Sequence, residues 1–126
     1  MLIAGFVLAG LAALIHVYIF VLESLRWEHP ATRATFGITA EAASATKPMA
    51  FNQGFYNLFL AAEVVLGLAL LGAQRRAGIA LVAFAAGSML AAALVLVLSD
   101  RTKARAAAVQ GGLPLLAEIA LLVHAL

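Results

Sequence analysis

The sequence predicts an all-α polytopic membrane protein, a single antiparallel four-transmembrane-helix bundle spanning residues 1–126. Three observations carry that expectation. The 126 residues are 65% apolar and only 11% charged, against roughly 45–50% and about 25% in soluble domains. Mean hydropathy is +1.06. Four stretches are long enough to cross a hydrocarbon core about 30 Å thick, which takes about 20 mostly apolar residues.

The stretches run over residues 2–22, 49–73, 77–98 and 106–126. The first holds His16, the second Glu63, the third no ionisable group, and the fourth Glu118 and His124. The first lacks a basic flank and outlasts the roughly 7–15 residue core of a secretory signal, so a retained helix is expected. A long connection, residues 23–48, separates the first two, and short connections at 74–76 and 99–105 make the later helices antiparallel neighbours. Pro48 suits the first turn of the second helix, where a missing N–H has no intrahelical partner in any case. Within the long connection Trp27 is an interfacial anchor candidate. The alanine-rich stretch 40–45 would suit a short surface helix, and Pro30 and Gly37 interrupt any continuous one.

Lysine and arginine set the expected orientation. Arg26, Arg33, Lys47, Arg101, Lys103 and Arg105 fall on the side shared by the first and third connections, and Arg75 and Arg76 on the other. Six against two places residues 23–48 and 99–105 in the cytoplasm and both termini outside, in the inner (plasma) membrane. The chain has no cysteine, which removes disulfides, thiolate metal sites, haem attachment and cysteine nucleophiles. No phosphate loop, GxSxG elbow or HExxH occurs. No cofactor, metal or nucleic-acid partner is expected.

Polar side chains inside a bilayer are costly and usually face the bundle interior, so they mark candidate sites. At about 100° per residue, His16 and Glu23 share a face of the first helix with Gly5, Ala9 and Ala12. On the second, Asn52, Tyr56 and Glu63 fall within about 40°, and Gln53 and Asn57 widen the sector to about 140°. On the fourth, Gln110, Pro114 and Glu118 fall within about 80°. The third presents Ala80, Ala83, Gly87 and Ala91 as a packing stripe. Depths match between helices, which predicts a funnel opening toward the cytoplasm and ending at a pair formed by Glu63 and Glu118. If paired, at least one of these two is neutral at pH 7. Each feature has a structural alternative: His16 as a buried, hydrogen-bonded histidine, the amides as glue between helices.

The tract Asn52-Gln53-Gly54-Phe55-Tyr56-Asn57, with His16, Tyr18, Glu23 and Trp27 around the first helix and Gln110-Gly111 in the fourth, resembles a bacterial family of short integral membrane proteins, domain of unknown function 1304. The likeness runs over nearly the whole chain. It implies a four-helix membrane fold and supplies no reaction.

Three functions are compatible with these residues. The first is a pocket that binds, and in an enzyme transforms, a small lipophilic or amphipathic molecule. Its ligand-binding set would be Glu23, Asn52, Gln53, Tyr56, Asn57, Glu63, Gln110 and Glu118, with His16 as acid/base. The second is proton-linked transport through Glu63 and Glu118, which with four helices would require a homo-oligomer. The third is a structural or accessory membrane subunit.

Overall fold

A computed structural model describes residues 1–125, and no strand occurs among them. Helix α1 covers Leu2–Phe20 and widens into a π-turn over Val21–Leu25; α2 covers Pro30–Phe36, α3 Ala40–Leu70, α4 Arg75–Ser99 and α5 Ala104–Ala125, the last entered through a 3₁₀ turn at Arg101–Lys103. The predicted end of the fourth span, Leu126, lies outside the described residues. Four of these segments are long and apolar enough to cross a membrane. The chain is a multi-pass membrane protein built as an all-α bundle.

The four long helices form a ring in which α1 packs on α3 and α5, and α4 packs on the same two. Helices α3 and α5 therefore stand on one diagonal, α1 and α4 on the other. Small residues make the close approach possible: Ala9, Ala12, Ala61, Ala85, Ala86 and Ala117 are enclosed in the core. Ile3, Leu14, Phe84 and Leu98 lie exposed. Lipid is as apolar as leucine, so nothing drives the large side chains inward, and packing decides which faces meet. At the crossing of α3 and α4, a Cβ on Gly67 would lie 3.0 Å from the Gly78 carbonyl oxygen, so only glycine permits that contact.

Three expectations about boundaries and faces are corrected. Helix α3 starts at Ala40, and Pro48 lies inside it. The Thr39 side chain accepts from Ala42 N at 3.1 Å and caps the start, while Glu41 sits in the first turn, where the helix dipole favours it. Those contributions and the alanine run extend the helix past the proline. At 31 residues it is about 46 Å long, well beyond a hydrocarbon core of about 30 Å, so its ends project. The candidate surface helix at 40–45 is thus the first part of α3. Pro30 opens α2, and Gly37 closes it in the left-handed conformation at φ 64°. On α4 the packing face is Gly78, Val82, Ala85, Ala86, Met89 and Ala93, whereas Ala80 and Ala91 are exposed. Small residues occur all round α4, so their spacing alone does not single out one face.

The long connection is tied down. Trp27 Nε1 donates to Thr46 Oγ1 at 3.1 Å, and its ring packs on Phe36 at 5.0 Å between centroids. Lys47 pairs with Glu28. Lys103 Nζ donates to the Phe36 carbonyl at 2.9 Å, which satisfies a free acceptor at the end of α2 and joins the first and third connections on one side of the bundle.

Candidate functional site

The sharpest polar contact lies where α1 widens. A π-turn adds a residue to the helical repeat and turns the following side chains; Glu23 and Ser24 sit in it and both face α3. Asn57 Nδ2 donates to Glu23 Oε2 at 2.9 Å and to its own Gln53 carbonyl at 3.2 Å. Ser24 Oγ donates to the Phe51 carbonyl at 2.7 Å. Between these bonds stands Gly54, whose absent Cβ would lie 2.9 Å from Ser24 N and 3.1 Å from the Glu23 Cβ. Phe20 closes the same junction edge-on against Phe55 at 5.1 Å. Gly54 and Asn57 thus have distinct tasks: one lets the backbones touch, the other holds a carboxylate.

Above this junction a cleft of about 640 Å³ opens at the end of the bundle. Its apolar walls are Leu25, Trp27, Pro48 and Phe51; Glu23, Arg26 and the Glu28–Lys47 pair supply charge, and the His29 ring lies beside them. Glu23 is the acidic group at its inner end, with Asn57 as its one hydrogen-bond partner among the described residues. Chemically, the cleft offers an acceptor with an apolar approach beside it and basic groups at the rim.

The family model described as "Protein of unknown function (DUF1304)" matches residues 10–122. The chain belongs to that family. No curated protein and no solved structure matches it. The family match covers the Glu23–Asn57 junction and most of the four spans, and the family description names no reaction.

For this DUF1304 chain, the expected common chamber is not formed. The polar sector of α3 splits: Asn57 turns inward and is 5% exposed, while Tyr56 is 57% exposed on the outer side, and Asn52 and Gln53 are exposed with it. A rotation of about 100° per residue separates Tyr56 from Asn57, so a neighbour that encloses one leaves the other outside. Glu63 and Glu118 do not pair. They sit on diagonal helices, no hydrogen bond joins them, and each keeps one enclosed carboxylate oxygen without a partner. Glu118 lies against α4 instead, where a Cβ on Gly87 would be 3.8 Å from its Oε1. Gln110 is half-buried and takes no part in the Glu23–Asn57 hydrogen bond.

His16 is fully enclosed and does not line the cleft. Its Nδ1 lies 2.9 Å from the Ala12 carbonyl, which assigns the proton to Nδ1 and leaves Nε2 an acceptor without a partner. With Val64, Val82, Met89 and Pro114 it is among the largest fully buried side chains, packed inside the bundle and apart from the cleft lining. Sequence reasoning missed Ser24, Arg26, Lys47 and Phe51 as cleft residues. Their signal was position, at the membrane boundary beside Trp27, not depth in the bilayer.

Among the described residues, no group of three or more His, Cys, Asp or Glu side chains is arranged to hold a metal ion. The Asp100 carboxyl, in the connection to α5, sits below its ordinary value because the Thr102 hydroxyl and then the Thr102 N–H donate to it. That is a turn-capping role, and Asp100 does not line the cleft.

Proposed function

We propose that this protein binds a small amphipathic molecule in the cleft between the end of α1 and the start of the membrane-spanning part of α3. The head of the ligand carries a positive charge or hydrogen-bond donors and meets Glu23. Its apolar part lies along Leu25, Trp27 and Phe51. The observation that carries the reading is Glu23 itself: a carboxyl group aligned by Asn57 and turned into an open cleft, with no cation paired to it among the described residues. A buried or half-buried carboxylate without a counter-charge is costly, so a donor arriving with the ligand gains more there than in water. The excess of Lys and Arg on connections one and three supports a cytoplasmic cleft, with both termini outside, in the inner (plasma) membrane.

Trp27, the chain's one tryptophan, lines the cleft and supplies the assay. Titrating the protein in nanodiscs with dodecylamine should give a saturable change in its fluorescence, weakened at least about tenfold, a loss of about 1.4 kcal/mol, by Glu23→Gln. Dodecanoate should bind more weakly than the amine. A wild-type response that does not saturate, or one that Glu23→Gln leaves intact, rejects the proposal. A second reading, a structural subunit, draws on the Ser24–Phe51 and Asn57–Glu23 bonds as helix ties; it gains if Asn57→Ala lowers stability while no amphiphile moves the Trp27 signal.

A further inference from the structure

We infer that the hydrocarbon tail of the amphiphile runs from the cleft along the seam between α1 and α3 into a second, apolar hollow deeper in the bundle, so that the ligand is a long-chain amphiphile of the bilayer. The tail path presupposes the cleft reading of Glu23 and extends it inward. The second hollow holds about 480 Å³ and is walled by Gly10, Leu14 and Val17 of α1 and by Leu58, Ala62 and Val65 of α3. Among the described residues no polar side chain lines it. It opens toward lipid, with Leu14 66% and Val65 60% exposed.

Helical phase joins the two hollows. At about 100° per residue, Phe51, Phe55, Leu58, Ala62 and Val65 fall within about 80°, and Gly10, Leu14 and Val17 within about 60°. One stripe of α3 therefore walls both, through Phe51 in the cleft and Leu58, Ala62 and Val65 in the groove. Between them, in chain order on both helices, stands the edge-on contact of Phe20 with Phe55 at 5.1 Å. Phe55 also packs on Phe51 at 5.1 Å and on Phe59 at 6.2 Å between centroids, so aromatic surface continues from one hollow toward the other. Phe20 and Phe55 are both half-buried, which lets a chain lie across their exposed edges without displacing them.

Length sets the class of ligand. The hydrocarbon core is about 30 Å thick, so the chain of one leaflet reaches about 15 Å. From Phe51 to Ala62, α3 rises about 16 Å. A tail of membrane-lipid length whose head meets Glu23 therefore reaches Ala62, whereas one half as long stops near Phe55, about 6 Å beyond Phe51. Lipid solvates apolar side chains as well as protein does, so a tail gains in the groove only by touching protein on more sides than a flat helix surface allows. Gly10 and Ala62 provide that recess. Each added contact is small and their sum is appreciable, and the head at Glu23 distinguishes the bound chain from bulk lipid.

Octylamine and hexadecylamine, titrated in nanodiscs and read by Trp27 fluorescence, separate the two hollows; comparing proteins for one amine cancels its partition into the bilayer. Ala62→Phe, at an exposed position, fills the groove from α3. Gly10→Leu, where a Cβ would meet only Leu68 Cδ1 at 3.9 Å, fills it from α1. Each should weaken hexadecylamine at least about fivefold and leave octylamine within about twofold. Ala91→Phe, exposed on α4 and lining neither hollow, should change neither amine. Unchanged hexadecylamine affinity in both groove variants, with Glu23→Gln still weakening both amines, overturns the tail path and leaves the cleft reading in place. Equal loss of both amines also overturns it, because the substitutions would then act through the fold. If Glu23→Gln alters neither amine, the cleft reading fails and the tail path fails with it.

Discussion

Replacing Gly54 by alanine separates two opposed effects whose sizes differ. In an unobstructed helix the change is favourable by about 0.5–1 kcal/mol, because glycine loses more backbone freedom on folding. At Gly54 the new methyl group would stand 2.9 Å from Ser24 N and 3.1 Å from the Glu23 Cβ, whereas ordinary carbon contacts lie at about 3.5–4.0 Å. Both obstacles belong to or adjoin backbone, so neither swings aside, and the end of α1 must retreat by about half an ångström or more. Overpacking of that kind costs about 1–3 kcal/mol. The retreat also strains the Ser24–Phe51 and Asn57–Glu23 bonds, worth about 0.6 kcal/mol each within a membrane. The net expectation is a loss of about 1–3 kcal/mol. Gly112, whose Cβ would meet nothing within 4 Å, is the control: Gly112→Ala should gain up to about 1 kcal/mol. Reversible unfolding in mixed micelles, followed by Trp27 fluorescence, measures both. If Gly54→Ala is as stable as Gly112→Ala, the close contact of α1 with α3 is not as described.

Asn57→Leu leaves the Glu23 carboxylate without its donor and should lower stability by about 1–2 kcal/mol in the same assay; Asn57→Asp, which sets a second carboxylate there, should lower it further. His16→Leu removes an enclosed acceptor that has no partner, so the unfolding free energy should hold or rise, by up to about 2 kcal/mol. A marked loss would show that Nε2 has a ligand. The Asp100 carboxyl is held below its usual 3.8 by Thr102. Its contribution is therefore complete above about pH 4 and disappears as the pH falls through the lowered folded value. Asp100→Ala should abolish that part of the acid dependence of unfolding, and an unchanged acid limb would count against the Thr102 contacts.

The spans, their antiparallel order and the inward face of α1 were legible because they rest on hydropathy and on short connections. Gly5, Ala9, Ala12 and His16 are all buried, as their shared phase implied. The site was less legible for a specific reason. Helical phase states which residues share a face but not which way the face points, and treating polarity as the mark of the interior turned α3 the wrong way round. Its small residues carried the better signal. Ala50, Gly54 and Ala61 recur at the spacing of one stripe, and Asn57 lies on it, while Asn52, Tyr56 and Glu63 lie off it. In lipid, where apolar bulk is no guide, the stripe that permits close approach fixes the inner face.

That criterion divides the Asn52–Asn57 tract between two faces. Gly54 and Asn57 lie on the stripe, and their contacts with Ser24 and Glu23 stay within the chain; they shape the inner end of the cleft. Asn52 and Tyr56 lie outside it and are exposed. The division predicts separable effects. Asn57 variants should fail in stability and in amphiphile binding, whereas Tyr56→Phe should leave both unchanged. Loss of the Trp27 titration in Tyr56→Phe would mean that the outer face contributes to the cleft, and the assignment of inner and outer roles would fall.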